Sequence, residues 1–174
     1  MFNTSLSPCN RYWDNLRDGE KDYAFWKNSR AFFNSQSLLK SWVDDATSAF
    51  LIPWRTDNIA ALEKDPELKQ KIHEYSGRIV RKILEHHRAR ILILSGVSTL
   101  KCLASDQFLS FDWRKSVEQS FNRGPNYQCR KVNFVYNHEH LTIFQIPHFS
   151  RANSQGLLTQ CSSWLLDEIL KLRN

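Results

Sequence analysis

The spacing of apolar residues changes several times along the chain, and each change marks the boundary of a predicted element. Over residues 21–34, Tyr23, Trp26, Arg30 and Phe33 recur at helical spacing, and Ser37 stands where it caps a second short helix with Leu38, Leu39, Trp42 and Val43 on one side. Both helices are expected to cover a sheet. The apolar run at 49–52 predicts a short strand that stops at Pro53-Trp54-Arg55-Thr56, because proline brings no amide to a ladder. Asp65 followed by Pro66 predicts a helix start, with the carboxylate capping free amides and the ring fitting the first turn. Ile72, Tyr75, Ile79 and Ile83 carry that helix to about residue 87, and Lys71, Arg78 and Lys82 form its other side. A solvated face is the first reading of those cations and phosphate contact the second.

Ile91-Leu92-Ile93-Leu94 is a continuous apolar run, as expected of a strand buried on both faces of a parallel sheet. Ser95-Gly96 turns it into a helix over 97–103. Gly96 answers a structural need for a tight turn, with an anion on the following amides as the alternative. Residues 106–130 have weak periodicity and hold Gly124-Pro125-Asn126, so loop and short helix are expected there. Two alternating runs, 132–136 and 141–146, flank Asn137-His138-Glu139-His140 and predict a hairpin with a polar tip. The last helix, about 154–172, aligns Leu157, Leu158, Cys161, Trp164, Leu165 and Ile169 toward the core. A helix, strand and helix in succession place the chain in the α/β class.

Composition narrows the picture modestly. With 174 residues, 41% apolar and 13% aromatic, the chain is expected to be one packed domain spanning 1–174. A formal charge of +6 suits a polyanion partner or simply a soluble basic surface. Cys9, Cys102, Cys129 and Cys161 are far apart, which predicts free thiols in a reducing compartment. Without an apolar run long enough for a membrane span or a signal peptide, the expected location is cytoplasmic.

The candidate chemistry gathers after the last predicted strand, in Ile146-Pro147-His148-Phe149-Ser150-Arg151-Ala152-Asn153. In an open α/β sheet the rim beyond such strand ends is where ligands bind. This segment resembles the loop of the uracil-DNA glycosylase superfamily written His-Pro-Ser-Pro or His-x-Ser-x-x-Asn, and His148, Ser150 and Asn153 fall on it. The plainer reading is a polar loop that opens the last helix, with Asn153 or Ser154 as its N-cap. Two further segments follow the superfamily in order: residues 48–55 resemble a strand ending at a proline, and residues 91–103 resemble the central strand, glycine and helix. Together they cover roughly residues 38 to 172.

The resemblance implies a three-layer α/β/α sandwich with a mainly parallel central sheet, and DNA carrying a damaged or modified base as partner. It implies that His148 stabilises the departing base and that Asn3, in a remnant of the first motif at Phe2-Asn3-Thr4-Ser5-Leu6-Ser7-Pro8, positions the attacking water. Thr4 replaces the proline of that motif, and its strand would fall before Met1; a shortened chain and a relative that has abandoned catalysis both fit. Phe50, Trp54, Gly96 and Ser98 are implied at the substrate, and Arg55, Ser150, Arg151 and Asn153 at the DNA. Phe50 stands where uracil-specific members carry an asparagine; a phenyl ring stacks on a base but leaves its polar edge unpaired, so a base other than uracil is expected. Trp54 and Phe149 either stack on a base or fill the gap it leaves, with core packing as the rival reading of each aromatic.

Other chemistries find less footing. His138-x-His140 lacks a third ligand, Asp44-Asp45 and Asp167-Glu168 point to different sides of helices, and no Gly-x-Ser-x-Gly elbow occurs. No metal and no cofactor is expected. Three functions therefore stand side by side: a base-excising enzyme, a non-catalytic module of the same fold that binds nucleic acid or a protein, and an unrelated cytoplasmic α/β protein.

Overall fold

The computed structural model describes residues 24–44, 64–121, 127–149 and 155–172. They form helices α1 (Ala24–Asn34), α2 (Ser37–Asp44), α3 (Pro66–His87), α4 (Val97–Leu103) and α5 (Gln155–Leu170), with strands β1 (Ile91–Ser95), β2 (Val117–Ser120), β3 (Gln128–Tyr136) and β4 (Glu139–Ile146). A 3-10 turn at Trp113–Lys115 precedes β2. The strands make one mixed sheet in the order β1-β4-β3-β2, and with the helices they define an α/β protein. The expected strand at 49–52 lies outside the described residues.

α3 starts as its sequence dictates. Asp65 Oδ1 accepts from Leu68 N at 2.9 Å, Pro66 fills the first turn, and Arg88 in the left-handed region (φ 46°) ends the helix. Its buried stripe differs from the expected one. Ser76, Gly77 and Leu84 face inward, whereas Tyr75 is 38% exposed. The reason is a close approach: a Cβ at Gly77 would lie 1.9 Å from Gln107 O, so only a glycine lets the turn after α4 lie against this helix. Arg81 fastens that turn, its Nη1 donating to Gln107 O at 2.9 Å and Phe108 O at 2.6 Å.

The predicted hairpin is present, antiparallel and tight. Tyr136 pairs with Glu139, leaving Asn137 (φ 49°) and His138 (φ 67°) as a two-residue turn in the left-handed region that matches strand twist. Arg130 pairs with Gln145 at the other end of this register, so β3 begins four residues before the predicted 132. β2 was not foreseen within 106–130: its Val-Glu-Gln-Ser is exposed throughout and shows no apolar alternation. The strand buried on both faces is β4, where every residue from Leu141 to Ile146 is buried, and not β1, whose Ile91 is 37% exposed. β4 lies between β1 and β3, which accounts for the difference.

The chain divides into two compact units. One takes residues 64–118 and 130–145 and has a core of Leu84, Leu94, Leu100, Leu103, Phe108, Leu109, Val132, Leu141 and Ile143. The other takes residues 24–44, 119–121, 127–129, 146–149 and 155–172; here α1 packs on α5, and Phe32, Leu39, Leu158, Cys161, Leu165 and Ile169 are buried. Of the stripe expected on α5, Leu158, Cys161, Leu165 and Ile169 are buried with Ser162 beside them, and Leu157 and Trp164 are half-buried, while α1 turns Ser29 and Phe32 inward beside the expected Phe33 and Arg30.

Candidate functional site

His148 is presented by burial on either side of it. Ile146 ends β4 and Pro147 follows it, both fully buried; Phe149 is 3% exposed, and His148 between Pro147 and Phe149 is exposed. Phe149 is held twice over: its carbonyl accepts from Asn28 Nδ2 at 2.6 Å, and its ring meets Phe32 and Phe33 edge to face at 5.4 and 6.1 Å. That packing corrects the alternative of Phe149 stacking on a base, because a ring committed to two core aromatics has no face to offer. It also fixes the backbone on which His148 sits.

Gly96 and Ser98 belong to the other unit. Gly96 is buried at φ 91°, a conformation that favours glycine over any residue with a side chain, and Thr99 Oγ1 donates back to Ser95 O at 2.8 Å. These bonds account for the turn without a ligand. Ser98 is exposed on a helix of seven residues. Asn3, Phe50, Trp54, Arg55, Ser150, Arg151 and Asn153 lie outside the described residues.

The cysteines are poor candidates for nucleophiles. A hydrogen bond with Cys161, then burial, pushes the Cys129 thiol far above its ordinary range, and burial raises that of Cys102 against the opposing charge of Lys69. Cys102, Cys129 and Cys161 are free thiols. Among the described residues no three His, Cys, Asp or Glu side chains gather as metal ligands. Lys71, Arg78 and Lys82 are all exposed along α3, which suits a solvated face.

One feature escaped the sequence. Trp113 has the ammonium of Lys101 at 4.9 Å from its ring centroid and the guanidinium carbons of Arg130 and Arg114 at 5.6 and 5.9 Å. Lys101 comes from α4, Arg114 from the 3-10 turn and Arg130 from β3, so only the adjacent Trp113-Arg114-Lys115 was there to be noticed. Trp113, Lys101 and Arg114 line an open groove of ≈ 470 Å³.

No protein-family model, curated protein or solved structure matches the chain. Among the described residues no helix is long and apolar enough to cross a membrane.

Proposed function

We propose that this chain is a cytoplasmic DNA-binding protein of the uracil-DNA glycosylase type that hydrolyses the N-glycosidic bond of a damaged or modified base. The observation that carries the reading is the exposed imidazole of His148, set between buried Pro147 and buried Phe149 at the exit of the most buried strand. In the reaction a nucleotide leaves the stack, water attacks its anomeric carbon, and the bonding pair departs with the base. His148 donates to the base as it gains negative charge, a task that asks for fixed position more than for reactivity. Asn3 is the proposed holder of the water, and the reading carries with it a three-layer α/β/α arrangement with a mainly parallel sheet.

A panel of duplexes with single modified bases, scored for alkali-labile abasic sites, tests the reading. The wild-type chain is expected to yield abasic product with at least one of them, and His148→Ala to slow it about 100-fold, the usual loss for one such donor. Absence of product with every base would overturn base excision. The second reading, a module that binds nucleic acid without catalysis, is favoured by the cations around Trp113; it predicts salt-sensitive binding and no abasic product.

A further inference from the structure

Two buried thiols that the proposed reaction leaves unused meet one another. Cys129 is the second residue of β3 and Cys161 lies near the middle of α5; both are 0% exposed, both belong to the same unit, and a hydrogen bond joins them. A thiol is a weak donor and a weak acceptor, so such a bond forms only where packing brings the two sulfurs together. Cys102 is differently placed. It is half-buried in the other unit, with Lys69 as its charged neighbour.

We propose that Cys129 and Cys161 form a redox latch, in which hydrogen peroxide converts the touching thiols to a disulfide that ties the start of β3 to α5. In the first step one sulfur, as its thiolate, attacks the peroxide; the O–O bond breaks, a water leaves, and the sulfur becomes a sulfenic acid. The second sulfur then attacks the first, the S–O bond breaks, and another water departs. The two thiols give up two electrons and two protons in all, and the peroxide is reduced to two waters. Because the thiolate is the reacting form, the burial that keeps the Cys129 thiol protonated also keeps the pair reduced until the oxidant is strong. Cys129 sits one residue inside the end of its strand, where local opening costs less than global unfolding, and that opening admits the oxidant. The covalent ring closed by the latch runs from 129 to 161 and contains His148, and the latch is independent of the reaction proposed above.

Peptide mapping of the full chain after graded doses of hydrogen peroxide tests the latch, with remaining thiols alkylated in denaturant before digestion with trypsin. Peptides 124–130 and 152–171 are expected as one species, lighter than their sum by two hydrogens and separated again by a reducing agent. In urea, where all four cysteines mix, the same treatment is expected to give several pairings instead. The oxidised chain is expected to melt roughly 5–10 °C above the reduced one, because a long closed loop restricts the unfolded ensemble. Cys161→Ser is expected to abolish the linked species, and the wild-type map stands by itself should that variant fold poorly. Separate peptides for Cys129 and Cys161 at every dose the fold survives would overturn the latch. So would a predominant link from either to Cys9 or Cys102, a 129–161 link formed as readily in urea as in the native chain, or a link that fails to raise the melt.

Discussion

At the scale of single residues, close approach and burial decide more than chemistry does. Gly77→Ala should raise helix propensity by roughly 1 kcal/mol. Yet its new Cβ would sit 1.9 Å from Gln107 O and 2.9 Å from Gln107 C, both backbone atoms held by Arg81. Overpacking of that kind costs about 1–3 kcal/mol and a forced backbone shift the upper end of it, so the variant is expected to lose a net of about 1–2 kcal/mol of stability, read as a lower urea midpoint. A neutral or stabilised variant would show the contact to be loose. His73 supplies a second case: burial first, then Lys69, lower its pKa from the ordinary 6.5, and its ring meets Phe108 edge to face at 5.9 Å. A lowered pKa means the unfolded chain binds the proton more readily, so this contribution is complete above pH 6.5 and is lost as pH falls through the folded value. His73→Leu is expected to flatten stability against pH on the acid side of 6.5, as measured by thermal melts; an unchanged curve would mean the ring titrates alike in both states.

At the scale of elements, local rules were legible wherever one face of the element meets a core. The Asp65-Pro66 start, the α5 stripe and the hairpin follow from capping, period and turn chemistry. What failed to show was pairing. β2 has no buried face, and the first residues of β3 gain their place through Arg130 and Glu118, an ion pair no periodicity announces. The hairpin tip reaches back to α3: Glu85 Oε1 accepts from Tyr136 Oη at 3.3 Å and Asn137 Nδ2 at 3.2 Å. Burial, then the Glu85 carboxylate, holds the Tyr136 phenol above its usual range. Asn137→Ala loses that bond and places alanine at φ 49°, so a loss of about 1–2 kcal/mol is expected in thermal denaturation. Asn137→Gly relieves the backbone and loses only the bond, which sets its cost below about 1 kcal/mol. Equal losses in the two variants would remove turn conformation from the account.

At the scale of the whole molecule, the sequence carries the α/β class in its helix-strand-helix run, whereas a site assembled from distant segments leaves no periodic trace. His148 was visible because a proline and an aromatic bracket it. The Trp113 cluster was not, since its cations come from three elements and meet only after folding. The same reasoning separates the two cationic surfaces. Lys71, Arg78 and Lys82 repeat along one helix, a regularity that solvation alone produces, and Arg78 lies 5.7 Å from the Tyr75 ring on that same face. Replacing the three with glutamine removes charges behind the formal +6 without touching a core. Stability is therefore expected to stay within about 0.5 kcal/mol. The salt slope for duplex DNA is expected to hold as well, because solvated cations release no phosphate counterions. Were these side chains on phosphates, each would take about 0.9 from the slope. A flattening of that size in the triple variant would put phosphates on this helix face, and an intact slope leaves it a solvated face.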